Sequence, residues 1–248
     1  MRRFLLLPAL ALALVALSAR GDDSKKGDLE PKALDILKQA AAVHKDAKSV
    51  HVEALILSDF DDDKGKRHGK SEAVYDMERP NHFAVRTKSD GKPNSDVDLV
   101  CDGKKLYRHA KTLKQFTEDA AADGFPAIGS KLPELRTENT GMWFYNVLVA
   151  DPYESLMDGV NRASYAGTEK VNGTEAHHLK FEQPDFKWEV WIAAAGKPHL
   201  LKALTRKPRL TVVETYQNWK IDGPIAQDAF TFSPGAESKK VDAIKSDE

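Results

Sequence analysis

From Glu175 to Ile192 the chain reads EAHHLKFEQPDFKWEVWI, with apolar and polar positions alternating on both sides of Pro184-Asp185. Proline suits the first central position of a tight turn, so the stretch predicts two strands joined there. If Gln183 faces Phe186, then Glu182 faces Lys187, Phe181 faces Trp188, Lys180 faces Glu189, Leu179 faces Val190 and His178 faces Trp191. Opposite charges meet, and apolar meets apolar. Each such pair contributes about 0.2–1 kcal/mol, and a one-residue slip would carry Leu179 and Phe181 to the wrong face. The hairpin has one apolar face (Leu179, Phe181, Trp188, Val190, Ile192) and one charged face.

The same reading extends along the chain. Pro31 opens a helix to about Ala47, with Ala33, Ile36, Leu37, Ala40, Val43 and Ala47 on one stripe and His44 at its border. From Ser49 the period becomes two: Val50, Val52, Ala54 and Ile56 predict a half-buried strand. A solvated loop is expected over Asp59–Gly69, then strands over Lys70–Met77 and His82–Thr87 around a turn at Arg79-Pro80-Asn81. Asp102-Gly103 lies between alternating runs and predicts a hairpin that pairs Leu99 with Leu106. A short strand is expected near Lys114–Thr117. Residues 120–159 break the pattern, and the block from Met142 to Val149 has helical character, with another turn over Tyr153–Met157. Strands then return over Ala163–Val171, through Asn172-Gly173 into the hairpin above, and over Leu200–Lys207 and Leu210–Trp219. With a two-residue turn at Asn172-Gly173, Ala166 faces Leu179 and Ser164 faces Phe181. Phe230–Ala236 predicts a last short strand, and the residues after it are polar.

Nearly every join is a hairpin, so the economical fold is mainly β with α: one antiparallel sheet of about 10–11 strands. With one apolar face and two helical pieces to cover it, such a sheet curls into an open half-barrel around the N-terminal helix and the helical insertion. The chain of 248 residues suffices for one large domain of this kind. Its formal net charge of −1 argues against a nucleic-acid binder. Arg2 and Arg3 followed by the apolar run Phe4–Leu17 have the layout of a secretory signal peptide for the general secretion route. Leu17-Ser18-Ala19 begins a lipobox, but Arg20 stands where the lipidated cysteine would be, so no lipid anchor is expected. No later stretch is apolar and long enough to span a membrane. Cys101 is the one cysteine and sits on an apolar alternation, which reads as a small buried hydrophobe.

Candidate chemistry is thin. Asp59, Asp61 and Asp63 start like a calcium loop, but Lys64 and Lys70 occupy the positions that need Gly and Glu. His177 and His178 are adjacent on a strand and point to opposite faces. Ser130, His177 and Asp185 supply the residue types of a hydrolytic triad, without spacing that favours them. No HExxH, CxxC, GxSxG or phosphate-binding glycine loop occurs, so neither metal nor cofactor is expected.

Several features in order resemble one family. They are Ala47-Lys48-Ser49-Val50, Arg79-Pro80-Asn81, Cys101-Asp102-Gly103-Lys104, Leu148 with Asp151-Pro152, Tyr165-x-Gly167 and Val171-x-Gly173. The closest matches are His177-His178-Leu179-x-Phe181, Trp188-x-x-Trp191-Ile192 and Phe230-x-Phe232-x-Pro234-x-Ala236. The chain resembles the bacterial lipoprotein-carrier superfamily typified by the LolA and LolB localisation factors. More narrowly, it resembles a family of predicted periplasmic proteins of unknown function within it. The residues give a leader over 1–19, a tether over 20–30 and a polar tail over 237–248, and the resemblance implies one LolA-like half-barrel over 31–236. It further implies a periplasmic, non-catalytic carrier or chaperone with a cavity for a lipid or the acyl chain of a lipoprotein, and an envelope protein as possible partner. The cavity lining would be Val52, Ala54, Ile56, Phe83, Val85, Leu99, Leu106, Trp143, Phe144, Leu148, Leu179, Phe181, Trp188, Val190 and Ile192. Two other functions stay open: an envelope interaction module with a filled core, and a hydrolase on the same fold.

Overall fold

The computed structural model describes residues 28–63, 65–90, 96–127 and 149–244. The leader, the first part of the tether, Ser130, and Trp143, Phe144 and Leu148 lie outside the described residues. Helix α1 (Pro31–Asp46) leads into β1 (Ser49–Asp62), β2 (Gly65–Glu78), β3 (His82–Ser89), β4 (Val97–Asp102), β5 (Lys105–Ala110) and β6 (Gln115–Ala120). After α2 (Pro152–Met157) come β7 (Arg162–Val171), β8 (Thr174–Glu182), β9 (Lys187–Ala193), β10 (Leu200–Lys207) and β11 (Leu210–Ile221). Two-residue β12 (Lys239–Lys240) follows near the end.

The strands form one unclosed twelve-stranded sheet in the order β12-β6-β5-β4-β3-β2-β1-β11-β10-β9-β8-β7. Two hairpin meanders, β1–β6 and β7–β11, are thus joined where β1 pairs with β11. All ladders are antiparallel except β12 on β6. The β8–β9 register is the one the charge and apolar pattern predicts, from Glu182↔Lys187 to His178↔Trp191.

Four local expectations are corrected. The acidic stretch expected as a loop is ladder: β1 and β2 pair to Asp62↔Gly65, with Asp59 opposite His68 and Asp61 opposite Lys66. Cross-strand charge pairing sustains the ribbon there. The β4–β5 turn is displaced, so Cys101 rather than Leu99 pairs with Leu106. The Asp102 carboxylate accepts from the backbone N–H groups of Lys104 and Lys105 at 2.8 and 2.7 Å, and Gly103 takes φ 85°. That Asx-type turn moves the reversal one residue along without changing which side chains share a face. In β7–β8 a bulge between Tyr165 and Gly167 skips Ala166, so Ala163 faces Phe181 and Tyr165 faces Leu179. A bulge reverses the parity of everything beyond it, and Ser164 and Ala166 lose their expected places. Finally, Gln227–Phe230 is a 3-10 turn rather than the start of a strand. Phe230 and Phe232 pack on the outer face of the sheet, with Ala84 and Val100 and against Tyr107.

Helix α1 lies on the other face, burying Ala33, Leu37, Ala40, Ala41 and His44. Its C-terminal end is held by Arg79. The guanidinium donates to the carbonyls of Ala47 and His44 at 2.9 and 3.2 Å and lies 5.2 Å over the Phe125 ring. A cation there also complements the helix dipole. Both sheet edges are covered by chain ends, since β12 lies on β6 and residues 28–30 lie on β7. Glu30 N–H donates to the Ala163 carbonyl, and Ala163 N–H to that of Asp28, each at 3.0 Å. Covered edges cannot template pairing with other chains.

His44 and Arg79 yield two expectations. Burial, reinforced by nearby His199, lowers the His44 pKa from 6.5 to about 3, so folding keeps the ring neutral. The unfolded chain then binds the additional proton, and stability falls as pH drops from about 6.5 towards 3. Between pH 5.5 and 4 the wild type should lose about 1.4 kcal/mol per pH unit more than His44→Leu, measured by urea denaturation. Arg79→Ala, losing two charge-assisted bonds to buried carbonyls, should cost about 2–3 kcal/mol in the same assay.

Candidate functional site

The face that carries α1 is built from cross-strand rows. One runs Val50–Met77–Phe83–Cys101–Leu106 over five strands, and a second runs Val52–Tyr75–Val85–Leu99. On the other side of β1 a third runs Ile56–Glu214–Ala203–Val190–Leu179–Tyr165 over six strands. A fourth contains Val212, Thr205, Trp188, Phe181 and Ala163. Alternation along each strand puts these residues on one face, and the antiparallel registers align the strands.

The rows bring together Val52, Ala54, Ile56, Phe83, Val85, Leu99, Leu106, Leu179, Phe181, Trp188, Val190 and Ile192 in a single buried cluster. Each is at most 5% exposed. Phe181 and Trp188 stack at 4.0 Å with their planes 14° apart. Cys101 is buried in the same cluster, and burial pushes its thiol above the usual range.

Three buried polar residues on this wall were not anticipated. Glu214 is 3% exposed, and Tyr75 and Tyr216 are buried beside it. The Tyr216 hydroxyl donates to the Glu214 carboxylate. Burial, together with the Glu214 charge, holds both phenols well above the usual tyrosine range. The signal was present in the sequence: Leu210, Val212, Glu214 and Tyr216 alternate, so an inward strand position falls on an acid. A glutamate in that position breaks the apolar pattern and so disguises the inward strand.

The two histidines that drew attention are structural. His177 faces inward, with its Nδ1 3.2 Å from the Tyr165 hydroxyl. His178 is on the outer face, stacked on Trp191 at 4.2 Å, with its ring nitrogens 3.0 and 2.7 Å from Glu169 and Glu189. Asp185 lies at the turn beyond the far end of β8 from His177, roughly 20 Å away at about 3.3 Å per residue. These two cannot share a reacting atom. Among the described residues no group of three or more His, Cys, Asp or Glu is placed to hold a metal ion.

Beside the wall, α1 and α2 enclose a cleft of about 370 Å3 over Ala41, Ala42, Pro152 and Tyr153. It is spanned by Lys45, which donates to Asp151 at 3.0 Å. Asp151 also caps α2 by accepting from Glu154 N–H at 3.0 Å, so one carboxylate both starts α2 and ties it to α1.

Among the described residues no helix is long and apolar enough to cross a membrane. The uncharacterised protein MJ0687 of Methanocaldococcus jannaschii is 23% identical over 230 residues, which cover 86% of this chain and 58% of that protein. The chain thus spans less than two thirds of that relative. Solved structures that resemble it include LprF from Mycobacterium bovis, at 14% identity and TM-score 0.45, covering 81% of this chain and 97% of that one. Another is the LolA superfamily protein NE2245 from Nitrosomonas europaea, at 11% identity and TM-score 0.34, covering 81% and 97%. A family model described as predicted periplasmic protein (DUF2092) matches residues 33–244, and the chain belongs to that family.

Proposed function

We propose that the protein is a non-catalytic periplasmic carrier that holds a lipid, or the acyl chains of a lipidated protein, against the apolar wall of the half-barrel. One observation supports this above the rest. The wall is continuous along cross-strand rows from β5 to β7, whereas α1 lies chiefly against β7, β8 and β9. Acyl chains are matched by apolar area alone, at about 0.8 kcal/mol per buried CH2, and need no polar motif. Trp143, Phe144 and Leu148 belong to the same proposal as cover for the wall, and the α1–α2 cleft is the route by which cover and wall would part. The separation of His177 from Asp185 supports binding without covalent chemistry. The leader layout supports export by the general secretion route, with residues 1–19 removed and an envelope protein as the donor or acceptor of cargo.

A second reading has its own support. Phe83, Val85, Leu179, Val190 and Ile192 have no exposed surface, as in a filled core. In that case the protein is an envelope interaction module without a ligand.

The two readings separate in one experiment. The mature protein, purified from the periplasm without detergent, is extracted with organic solvent and analysed by mass spectrometry, then titrated with a fluorescent fatty acid. A carrier yields a stoichiometric lipid, and the probe binds saturably and is displaced by that lipid. An empty extract with no saturable probe binding rejects the carrier in favour of the filled core.

A further inference from the structure

The β10–β11 ladder stops at Lys202↔Thr215, yet β11 continues beside β1 to Ile221 and β10 reaches back beside β9 to Leu200. The sheet therefore parts at this rim. Each strand carries an irregularity next to the gap. The β9–β10 register shifts between Leu200 and Lys202. In the β1–β11 register, β1 advances from His51 to Glu53 while β11 retreats from Lys220 to Gln217, with Asn218 at φ 57°. Bulges of this kind turn side chains out of the ladder. With the β7–β8 turn they enclose a notch of about 430 Å3, within the size range of small-molecule sites.

The lining is uncharged and offers both donors and acceptors. Trp219 contributes an indole whose Nε1–H is buried without an acceptor. The His199 ring lies 5.4 Å from it, centroid to centroid. His199 Nδ1 donates to the Lys197 carbonyl at 2.8 Å, which leaves Nε2 as the ring nitrogen available to a ligand. Asn218 Nδ2 donates to Glu53 at 2.9 Å, which orients the amide and leaves its second N–H to donate and its carbonyl oxygen to accept. Asn172 and Thr174 add polar groups from the β7–β8 turn, and among the described residues no Asp, Glu, Lys or Arg lines the notch. His44, buried and held neutral, lies 5.3 Å from the indole, centroid to centroid.

An aromatic face beside uncharged donors and acceptors fits a ring with an apolar C–H surface and hydroxyls around its edge. A formal charge on the ligand would find no partner in the lining, and an alkyl chain would bury the polar groups of Asn218 and His199 unsatisfied. We propose that the notch between β10 and β11 binds a neutral saccharide, its ring on Trp219 and its hydroxyls on His199, Asn218 and Thr174. The notch adjoins the apolar wall, sharing Tyr216 with it, and does not depend on a lipid being bound there.

The test uses the mature chain labelled with nitrogen-15, titrated with N,N′-diacetylchitobiose and with maltose while the indole N–H signals are followed. Trp219→Phe assigns the Trp219 signal by its disappearance. The expected result is a saturable shift of that signal with at least one sugar, while the Trp188 and Trp191 signals stay in place. Trp219→Phe, which shrinks the stacking face, and His199→Ala, which removes one hydrogen bond, should each weaken calorimetric affinity about tenfold. His199→Ala lies in a loop and carries the test if Trp219→Phe disturbs folding. No saturable shift with either sugar up to about 50 mM, well past the millimolar range of weak sites, would overturn the proposal. Unchanged affinity in His199→Ala would also overturn it.

Discussion

Everything on the apolar wall depends on the β1–β11 ladder. It is the seam between two parts that would otherwise be separate seven- and five-stranded sheets, and it runs from Val50↔Ile221 to Phe60↔Leu210. Because side chains alternate, this one register decides whether Ile56 stands beside Glu214 and Ala54 beside Tyr216, and so whether the rows on both sides join into one surface. A slip of one residue would turn Leu210, Val212, Glu214 and Tyr216 outwards together. The irregularity at Asn218 falls near the rim, and pairing resumes beyond it at His51↔Lys220 and Val50↔Ile221.

The same seam sets an energetic tension. It buries a carboxylate, Glu214, among apolar rows, an arrangement that costs several kcal/mol unless hydrogen bonds satisfy the charge. Tyr216 donates to Glu214, and the small neighbours Ala54, Ala73 and Ala203 leave room for the two phenols around it. Opposite requirements hold on the outer face, where Trp191 is covered by His178 and Lys202 and its indole N–H donates to Glu169. A large aromatic side chain on a solvated face stays dry there because charged neighbours lie across it with their stems and rings.

Where local chemistry decides structure, the amino-acid pattern was sufficient. The β8–β9 pairing from Glu182↔Lys187 to His178↔Trp191 was legible because a two-residue proline turn fixes the register and charge matching agrees with it. The boundaries of α1 followed from Pro31 and its apolar stripe. Errors arose where one residue of slack exists. The bulge at Ala166 and the Asx turn at Asp102 each insert or shift one position, at a cost smaller than the packing they permit, and no periodicity reports them. His44 was read as a border residue because helical periodicity alone does not show that Trp219 lies 5.3 Å from it.

By itself, the sequence determined that this chain alternates into an antiparallel sheet with one apolar face, and many of the residues on that face. Val52, Phe83, Leu99, Leu179 and Trp188 fall in one buried cluster because strand parity is a local property. Only the tertiary structure decided that the two meanders meet at β1 and β11, that Glu214 lies inside the wall, and that β10 and β11 part beside Trp219. The first depends on pairings between residues more than a hundred positions apart, which loop-closure entropy opposes and only the completed sheet makes favourable.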